Sequence, residues 1–425
     1  RNTPHYWITV ERMRDFIKRM MAEGLVEEIT EPVSSVYEAP KRAFTSKKML
    51  YFRNCDGPRC VMNAIYDRKS LSVALGIPED KLVKTLAACT YAGKTHDAGK
   101  LSFGPAKLSD LPIMKHFPKD AGRYLTSGIV FSAWGGVENA SIHRMEVLDD
   151  THLIGRIVEG RHTYKLLQQA KAAGEKLPIA VVIGAHPAVT FAACTRVPEG
   201  KEMAYAAEIL GEDMPLYECP NGIRVPDAEI VLYGYMTAEL HEEGPFVDIS
   251  GTYDPIRMQP VIELCGMVRK PDYMYHGIVP AGAEHKMLMG APYEPRIYQA
   301  AANVTNVRDV FLTPGGAGYF HAVVQVKKMT NGDGKNVIMA AFAAHTSLKH
   351  VVVVDEDINI YDPNDVEFAI ATRVRADQDV MIISGVRGSS LDPCRIGDGM
   401  NVKMGIDATM QLGHEDEFIR ADWNE

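Results

Sequence analysis

Between Tyr124 and Tyr275 the chain breaks into short apolar runs divided by turn residues, and that cadence limits the fold more than any other feature. Ser127-Gly-Ile-Val-Phe-Ser-Ala133, His143–Leu148, His152–Val158, Pro178–Ile183, Ile230–Tyr235 and Gln259–Val268 each have the length and residue types of a strand. Only Tyr164–Ala173 and Glu202–Leu210 interrupt them with a helical period. So many short strands in succession predict a β-rich central domain closed as a barrel.

The flanks read differently. Met13, Phe16, Ile17, Met20 and Met21 form the stripe of an amphipathic helix over Val10–Gly24, with Gly24 as its stop. Met49–Phe52 and Cys60–Tyr66 read as strands, and Pro78 starts a helix. Loop residues cluster over Asp97–Pro112, which sets the first boundary. Towards the C-terminus, Val351–Val354 and Val380–Ser384 are unbroken apolar strands flanking a helix over Pro363–Arg375, the pattern of a βαβ unit covered on both faces. A helix over Arg296–Asn303 bridges the central and final domains. The expected class is therefore α/β (α+β) in three domains: 1–108 an N-terminal α/β module, 109–292 the central barrel, 293–425 a linker helix and C-terminal α/β domain.

Composition excludes several functions. A net charge of −9, with no basic stripe, argues against a nucleic-acid partner. No apolar run is long enough for a membrane span, and the opening Arg1-Asn-Thr-Pro-His-Tyr lacks a signal-peptide pattern, so a cytoplasmic location is expected. Seven scattered cysteines without a C-x-x-C pair fit reduced thiols, not a zinc site or disulfide framework.

Two groups of residues carry possible chemistry. Asn139, Arg144 and His162 put an amide, a fixed cation and an imidazole close together in sequence, and Asn, His and Glu donors suit a hard or borderline divalent cation. His162 alone equally fits a hydrogen-bonded structural role, and Glu202, in the first turn of a helix, equally fits the helix dipole. Glu242-Glu-Gly-Pro-Phe-Val-Asp248 places carboxylates across a turn, where they form either an acid–base pair or an exposed acidic loop. Two Gly-rich stretches, Thr313–Gly318 and Ser384–Ser390, fit no phosphate-loop spacing and read as turns.

Taken in order, Asn139-Ala-Ser-Ile-His-Arg144, Arg161-His162, Thr195-Arg-Val-Pro198 with Glu202, Ala228–Tyr235, Glu243-Gly-Pro-Phe-Val-Asp248, Gly282–Gly290, Lys349 with Asp355–Asn359, and Lys403–Thr409 resemble the UbiD family of reversible decarboxylases. The resemblance implies an N-terminal α/β module, a central split β-barrel that binds flavin, and a C-terminal α/β domain, assembled as a homodimer or homohexamer. It implies prenylated FMN as cofactor, supplied by a flavin prenyltransferase, with Asn139, Ser141, Ile142, Arg144, Arg161, His162, Thr195, Glu202 and Lys349 around it. Asn139, His162 and Glu202 match the positions that hold Mn²⁺ or Mg²⁺, and Thr195 one that holds K⁺. Glu243, Arg144 and Asp248 match the family's catalytic relay.

The resemblance further implies loss of CO₂ from an aromatic, heteroaromatic or α,β-unsaturated carboxylic acid. A second reading within the family is decarboxylation of an unsaturated isoprenoid-precursor acid phosphate of the anhydromevalonate phosphate type, its extra phosphate met by Arg161 or Arg296. Asp248 stands where the cinnamate-type branch has Glu, and Arg161 where some relatives carry Gln, which moves the substrate away from simple cinnamates. Two readings outside that activity remain: a flavin oxidoreductase on a split barrel, and a non-catalytic subunit of a larger carboxylase.

Overall fold

In the computed structural model, residues 12–424 are described. The opening helix runs Met13–Ala22 and buries Met13, Phe16, Ile17 and Met20, as its stripe predicts, whereas Met21 faces solvent. Val10 lies outside the described residues. Gly24 ends the turn with φ of 69°, a left-handed conformation that glycine adopts without strain.

Of the described residues, those up to Glu79 together with Cys89–Leu288 form one compact unit. Its smaller sheet orders Val26–Ile29, Met49–Phe52, Arg59–Met62 and Met274–Gly277, so a late strand completes an early sheet. The predicted loop over Asp97–Pro112 is corrected in part. Thr95–Lys100 is a strand, parallel to Met214–Glu218. Its residues are mostly exposed, so backbone pairing at a sheet edge holds it without the apolar pattern that betrays a buried strand.

The larger sheet has eight strands, in the order Tyr124–Leu125, Met145–Asp149, His152–Gly155, Arg257–Arg269, Ala228–Glu243, Leu177–Ala185, Ile129–Trp134 and Val137–Ile142, every pair antiparallel. The Val137–Ile142 strand lies at one end of that order and Met145–Asp149 next to the other end. Only His143 and Arg144 join them. Three Cα steps of 3.8 Å span at most about 11 Å. A flat sheet of eight strands at about 4.8 Å spacing cannot be bridged by that length, so the sheet curls until its ends nearly meet. The predicted split barrel is this curled half-barrel. Its inward residues, among them Val130, Leu153, Val181, Ile183, Ile230, Leu232 and Ile262, share one core with Leu50, Phe52 and Met62 of the smaller sheet.

Asp80–Ala88 and Met289–Glu425 form the second unit. Its sheet orders Asn306–Leu312, His321–Lys327, His350–Val354, Met400–Ala408 and Val380–Arg387. The expected βαβ pairing of the two apolar runs is not present. His350–Val354 lies parallel to Met400–Ala408, which separates it from Val380–Arg387, and the latter is an antiparallel edge. Ile382 there is exposed, so an apolar run marked an edge and not a doubly covered strand. A βαβ unit is built instead by His321–Lys327, the helix Asp333–Ala344 and His350–Val354, whose strands pair in parallel. The helix Glu294–Ala302 packs Ile297 and Ala301 into that unit's core. Among the described residues no helix is long and apolar enough to cross a membrane, and all seven cysteines are free.

Candidate active site

Arg144 stands on the two-residue seam that closes the half-barrel, and three carboxylates converge on it. Its Nε donates to Glu243 Oε1 at 2.9 Å, its Nη1 to Asp248 Oδ2 at 3.1 Å and its Nη2 to Asp254 Oδ2 at 3.0 Å. Nη2 also lies 2.7 Å from Glu243 Oε1. The guanidinium carbon sits 5.1 Å from the centre of the Phe246 ring, which covers one side. Burial works against the Arg144 charge, but Glu243, Asp248 and Asp254 outweigh it and hold the guanidinium above its ordinary pKa. The acidic loop reading of Glu243 is therefore excluded: this residue ends the long Ala228–Glu243 strand and is 1% exposed.

Asp254 and its partner Arg257 were not anticipated. Arg257 donates from Nη1 and Nη2 to the two Asp254 oxygens at 2.5 and 3.1 Å. Burial would raise the Asp254 carboxyl, yet the Arg257 hydrogen bonds and the Arg144 charge hold it below the usual range. The i, i+3 spacing of Asp254 and Arg257 was the available signal. Behind Glu243, the Tyr124 hydroxyl lies 3.2 Å from Glu243 Oε2 and 3.1 Å from Glu146 Oε2. On the other side of Asp248 is His285, whose Nδ1 accepts the Ala281 N–H at 2.8 Å. Burial, offset in part by Asp248, lowers its pKa, so the ring is held neutral.

A second cluster lies on the strand that leads into the seam. Asn139, Ser141 and His143 alternate at i, i+2 and i+4, which puts them on one face. Asn139 Nδ2 donates to Ser141 Oγ at 3.3 Å and to Thr163 Oγ1 at 3.1 Å. With both amide hydrogens used, the Asn139 carbonyl oxygen is left to accept. His143 Nδ1 faces the Arg156 carbonyl at 3.2 Å, so this nitrogen carries the proton and Nε2 accepts from the Ser141 or Thr163 hydroxyl at 2.9 Å. Burial drives the His143 pKa down to about 4. The alternation was the available signal for His143.

His162 opens the helix His162–Ala172 beside Thr163, and Arg161 is the residue before its first turn. Glu202 opens the helix Glu202–Leu210 and is buried. Burial pushes its carboxyl up to about 7, offset by the Ala140 backbone N–H and reinforced by Glu138 and Glu199. Contact with Ala140 places Glu202 one residue from Asn139. Among the described residues no group of three or more His, Cys, Asp and Glu gathers as a metal site. The residues expected to hold a cation are linked through their neighbours: Thr163, next to His162, accepts from Asn139, and the Ala140 N–H reaches Glu202. A carboxylate that burial pushes up to about 7 is one whose ionised form a cation would favour, and an amide, an imidazole and a carboxylate suit a hard or borderline divalent ion.

The remaining predicted residues lie apart from these hydrogen bonds. Thr195 Oγ1 donates to the Phe191 carbonyl at 2.8 Å, closing the Pro187–Ala193 helix. Ile142 ends the edge strand. Lys349 belongs to the second unit, where its Nζ pairs with Asp392 at 3.0 Å.

Family models match the chain in three consecutive parts: the 3-octaprenyl-4-hydroxybenzoate carboxy-lyase N-terminal domain over residues 17–90, its Rift-related domain over 96–283 and its C-terminal domain over 286–408. The chain belongs to the UbiD family. Within it, the chain is 50% identical to the anhydromevalonate phosphate decarboxylase of Methanosarcina mazei over 414 residues, covering 96% of this chain and 98% of that one. It is 43% identical to the enzyme of the same name from Methanothermobacter thermautotrophicus, covering 97% of this chain and 100% of that one. Among solved structures, the UbiD-class enzyme HmfF from Pelotomaculum thermopropionicum in complex with FMN has a TM-score of 0.93 and 33% identity, covering 97% of both chains. An evolved dimeric form of HmfF, in complex with prFMN, has a TM-score of 0.88 and 31% identity, covering 97% of both. This protein is thus a UbiD-family decarboxylase, which sets aside the oxidoreductase reading.

Proposed function

We propose that this UbiD-family enzyme removes CO₂ from a phosphorylated α,β-unsaturated acid of the anhydromevalonate phosphate type, the reading held second to an aromatic acid on sequence alone. One observation carries the preference: half-identity over nearly the whole of a relative named for that substrate. The cofactor is prenylated FMN, as in the prFMN-bound relative, with Mn²⁺ or Mg²⁺ held by Asn139, His162 and Glu202 and K⁺ by Thr195. Ser141, Ile142 and Arg161 complete the cofactor contacts. When bound, the flavin supplies the electron sink for the pair released as the C–C bond breaks. A flavin prenyltransferase supplies it, and the chain works as a homodimer or homohexamer in the cytoplasm.

The chain's own residues position the acid and manage one proton. Arg144 keeps a permanent charge beside the leaving carboxylate and fixes Glu243 by a two-point contact. Its three partners are not equal. Side-chain exposure is 0% for Glu243, 8% for Asp254 and 20% for Asp248, so Asp248 is the partner that gives way to an incoming carboxylate. Asp248 then delivers the proton that replaces CO₂, and the balance is one carboxylate and one proton in, one C–H bond and one CO₂ out. Neutral His285 borders it without competing for that proton.

The test is the holoprotein made with a flavin prenyltransferase. Denaturation should release prenylated FMN with stoichiometric manganese, and CO₂ should be released from the unsaturated acid phosphate and not from its dephosphorylated form. Release of plain FMN, or turnover of aromatic acids in preference to the phosphate, would discard the reading.

A further inference from the structure

Each turnover consumes a proton, so a path must return one from solvent. Glu243 is 1% exposed and Tyr124 0% exposed, and neither meets water directly. Glu146 does: it is half-buried on the Met145–Asp149 strand, directly across from Tyr124 in the sheet. One phenol hydroxyl sits within hydrogen-bond distance of two carboxyl groups, 3.1 Å from Glu146 Oε2 and 3.2 Å from Glu243 Oε2. A hydroxyl has one hydrogen to give. Two ionised carboxylates on it would leave one oxygen pair repelling, whereas one proton on either carboxyl satisfies all three groups. The arrangement is thus a three-member chain that holds one proton more than its ionised form, with a wet end and a dry end.

We propose that the proton used in decarboxylation re-enters the site along Glu146, the Tyr124 hydroxyl and Glu243. In the step, a carboxylic acid at Glu146 gives its proton to the Tyr124 oxygen as the Tyr124 O–H proton passes to Glu243. The phenol ends as it began, Glu146 is left ionised, and Glu243 holds the proton beside Arg144, from where it passes to the ionised Asp248 on the same guanidinium and restores the donor. Burial, with Glu243 and Glu146, drives the Tyr124 pKa far above its ordinary value, so the phenol does not ionise and the two transfers are coupled. Burial likewise raises the Glu146 carboxyl, countered by the Gly244 backbone N–H and the Tyr124 hydrogen bond. The charged groups facing Glu146 are Glu243 and His241 of the Ala228–Glu243 strand, and the latter offers a titratable contact to solvent. Tyr124 and Glu146 are positioning residues in this scheme, since neither touches the reacting atoms. The proposal rests on the relay role of Glu243.

The experiment compares Tyr124→Phe, Glu146→Gln and Glu243→Gln in the holoenzyme. Tyr124→Phe should lower kcat about 100-fold, with KM within about twofold and a larger solvent deuterium isotope effect, because proton return becomes limiting. A small carboxylic acid in the buffer should restore part of the rate to Glu146→Gln and none to Tyr124→Phe. Pairing this with infrared spectroscopy of the cofactor-free protein gives a readout independent of turnover. One protonated-carboxyl band should titrate in the wild type, shift in Tyr124→Phe and vanish in the double variant Glu146→Gln/Glu243→Gln. If Tyr124→Phe and Glu146→Gln both keep kcat and the isotope effect within twofold while Glu243→Gln is inactive, the path is wrong and the relay stands. If Glu243→Gln is itself fully active, the relay reading fails, and the path with it.

Discussion

The two ends of the short stretch Asn139–Arg144 handle charge in opposite ways. At Arg144 opposite charges meet within the protein: one guanidinium, three carboxylates and a second arginine behind Asp254. At Asn139 the contacts are neutral, hydroxyl to amide to imidazole, and the nearby Glu202 carboxyl is surrounded by negative neighbours. The first cluster finds its counter-charges within the protein. On the proposed reading the second gains its counter-charge from a bound cation, so the acid–base machinery is formed by the fold and the cofactor end by what binds.

Breaking the complete cluster should cost most. Arg144→Met should abolish turnover by at least about a thousandfold and lower stability by about 3–5 kcal/mol, because buried carboxylates lose their counter-charge. CO₂ release and urea unfolding measure the two. If stability held, the carboxylates would have to be protonated already and the contrast would collapse.

A pH series probes the neutral cluster. The His143 imidazole is lowered from 6.5 to about 4, so between those values the unfolded chain binds a proton that the folded chain refuses. Stability is unaffected by this group above about 6.5 and falls as pH drops towards 4, by about 3 kcal/mol in total. Urea unfolding across that window should show the slope in the wild type and a reduced one in His143→Gln.

Cation binding sharpens the contrast from the other side. Manganese at a hundredfold excess over its Kd should raise stability by about 2.7 kcal/mol, and Glu202→Gln should abolish most of that gain while leaving Arg144 and its partners in place. Thermal unfolding with and without the metal checks it. The smallest effect belongs to Asp254→Asn, which keeps a hydrogen-bond acceptor but removes one charge from Arg144. A loss of about 1 kcal/mol in stability and a rise in KM of about fivefold, read from steady-state kinetics, would place Asp254 as the orienting partner of the arginine.

What was legible beforehand follows burial. The strand Leu177–Ala185 is buried almost throughout and was read to within two residues, and the helix Glu202–Leu210 was read to its ends. The Ala228–Glu243 strand was recognised only as far as Tyr235, because Glu239–Glu242 project into solvent and lose the apolar pattern. The strand Val137–Ile142, which carries Asn139, was missed as a strand, since its polar residues face the site and not the core. Arg144, Glu243 and Asp248 were named from motif order, and the structure brings them together. Asp254, Tyr124 and Glu146 were not named: they come from separate segments, Tyr124 and Glu146 meeting by strand pairing and Asp254 arriving on a separate two-stranded sheet.

The seam at His143–Arg144 has one further consequence. The strand residues Asn139–Ile142 and the link His143–Arg144 together span at most about 16 Å at 3.3 Å per residue, and the stretch is a ruler: on the proposed reading one end marks where a cation would sit, the other where a carboxylate departs. Surface loops of this chain can gain or lose residues without altering that measure. A single residue inserted within the ruler would lengthen it and turn every side chain beyond the insertion to the opposite face, parting the two halves of the chemistry while leaving the core intact.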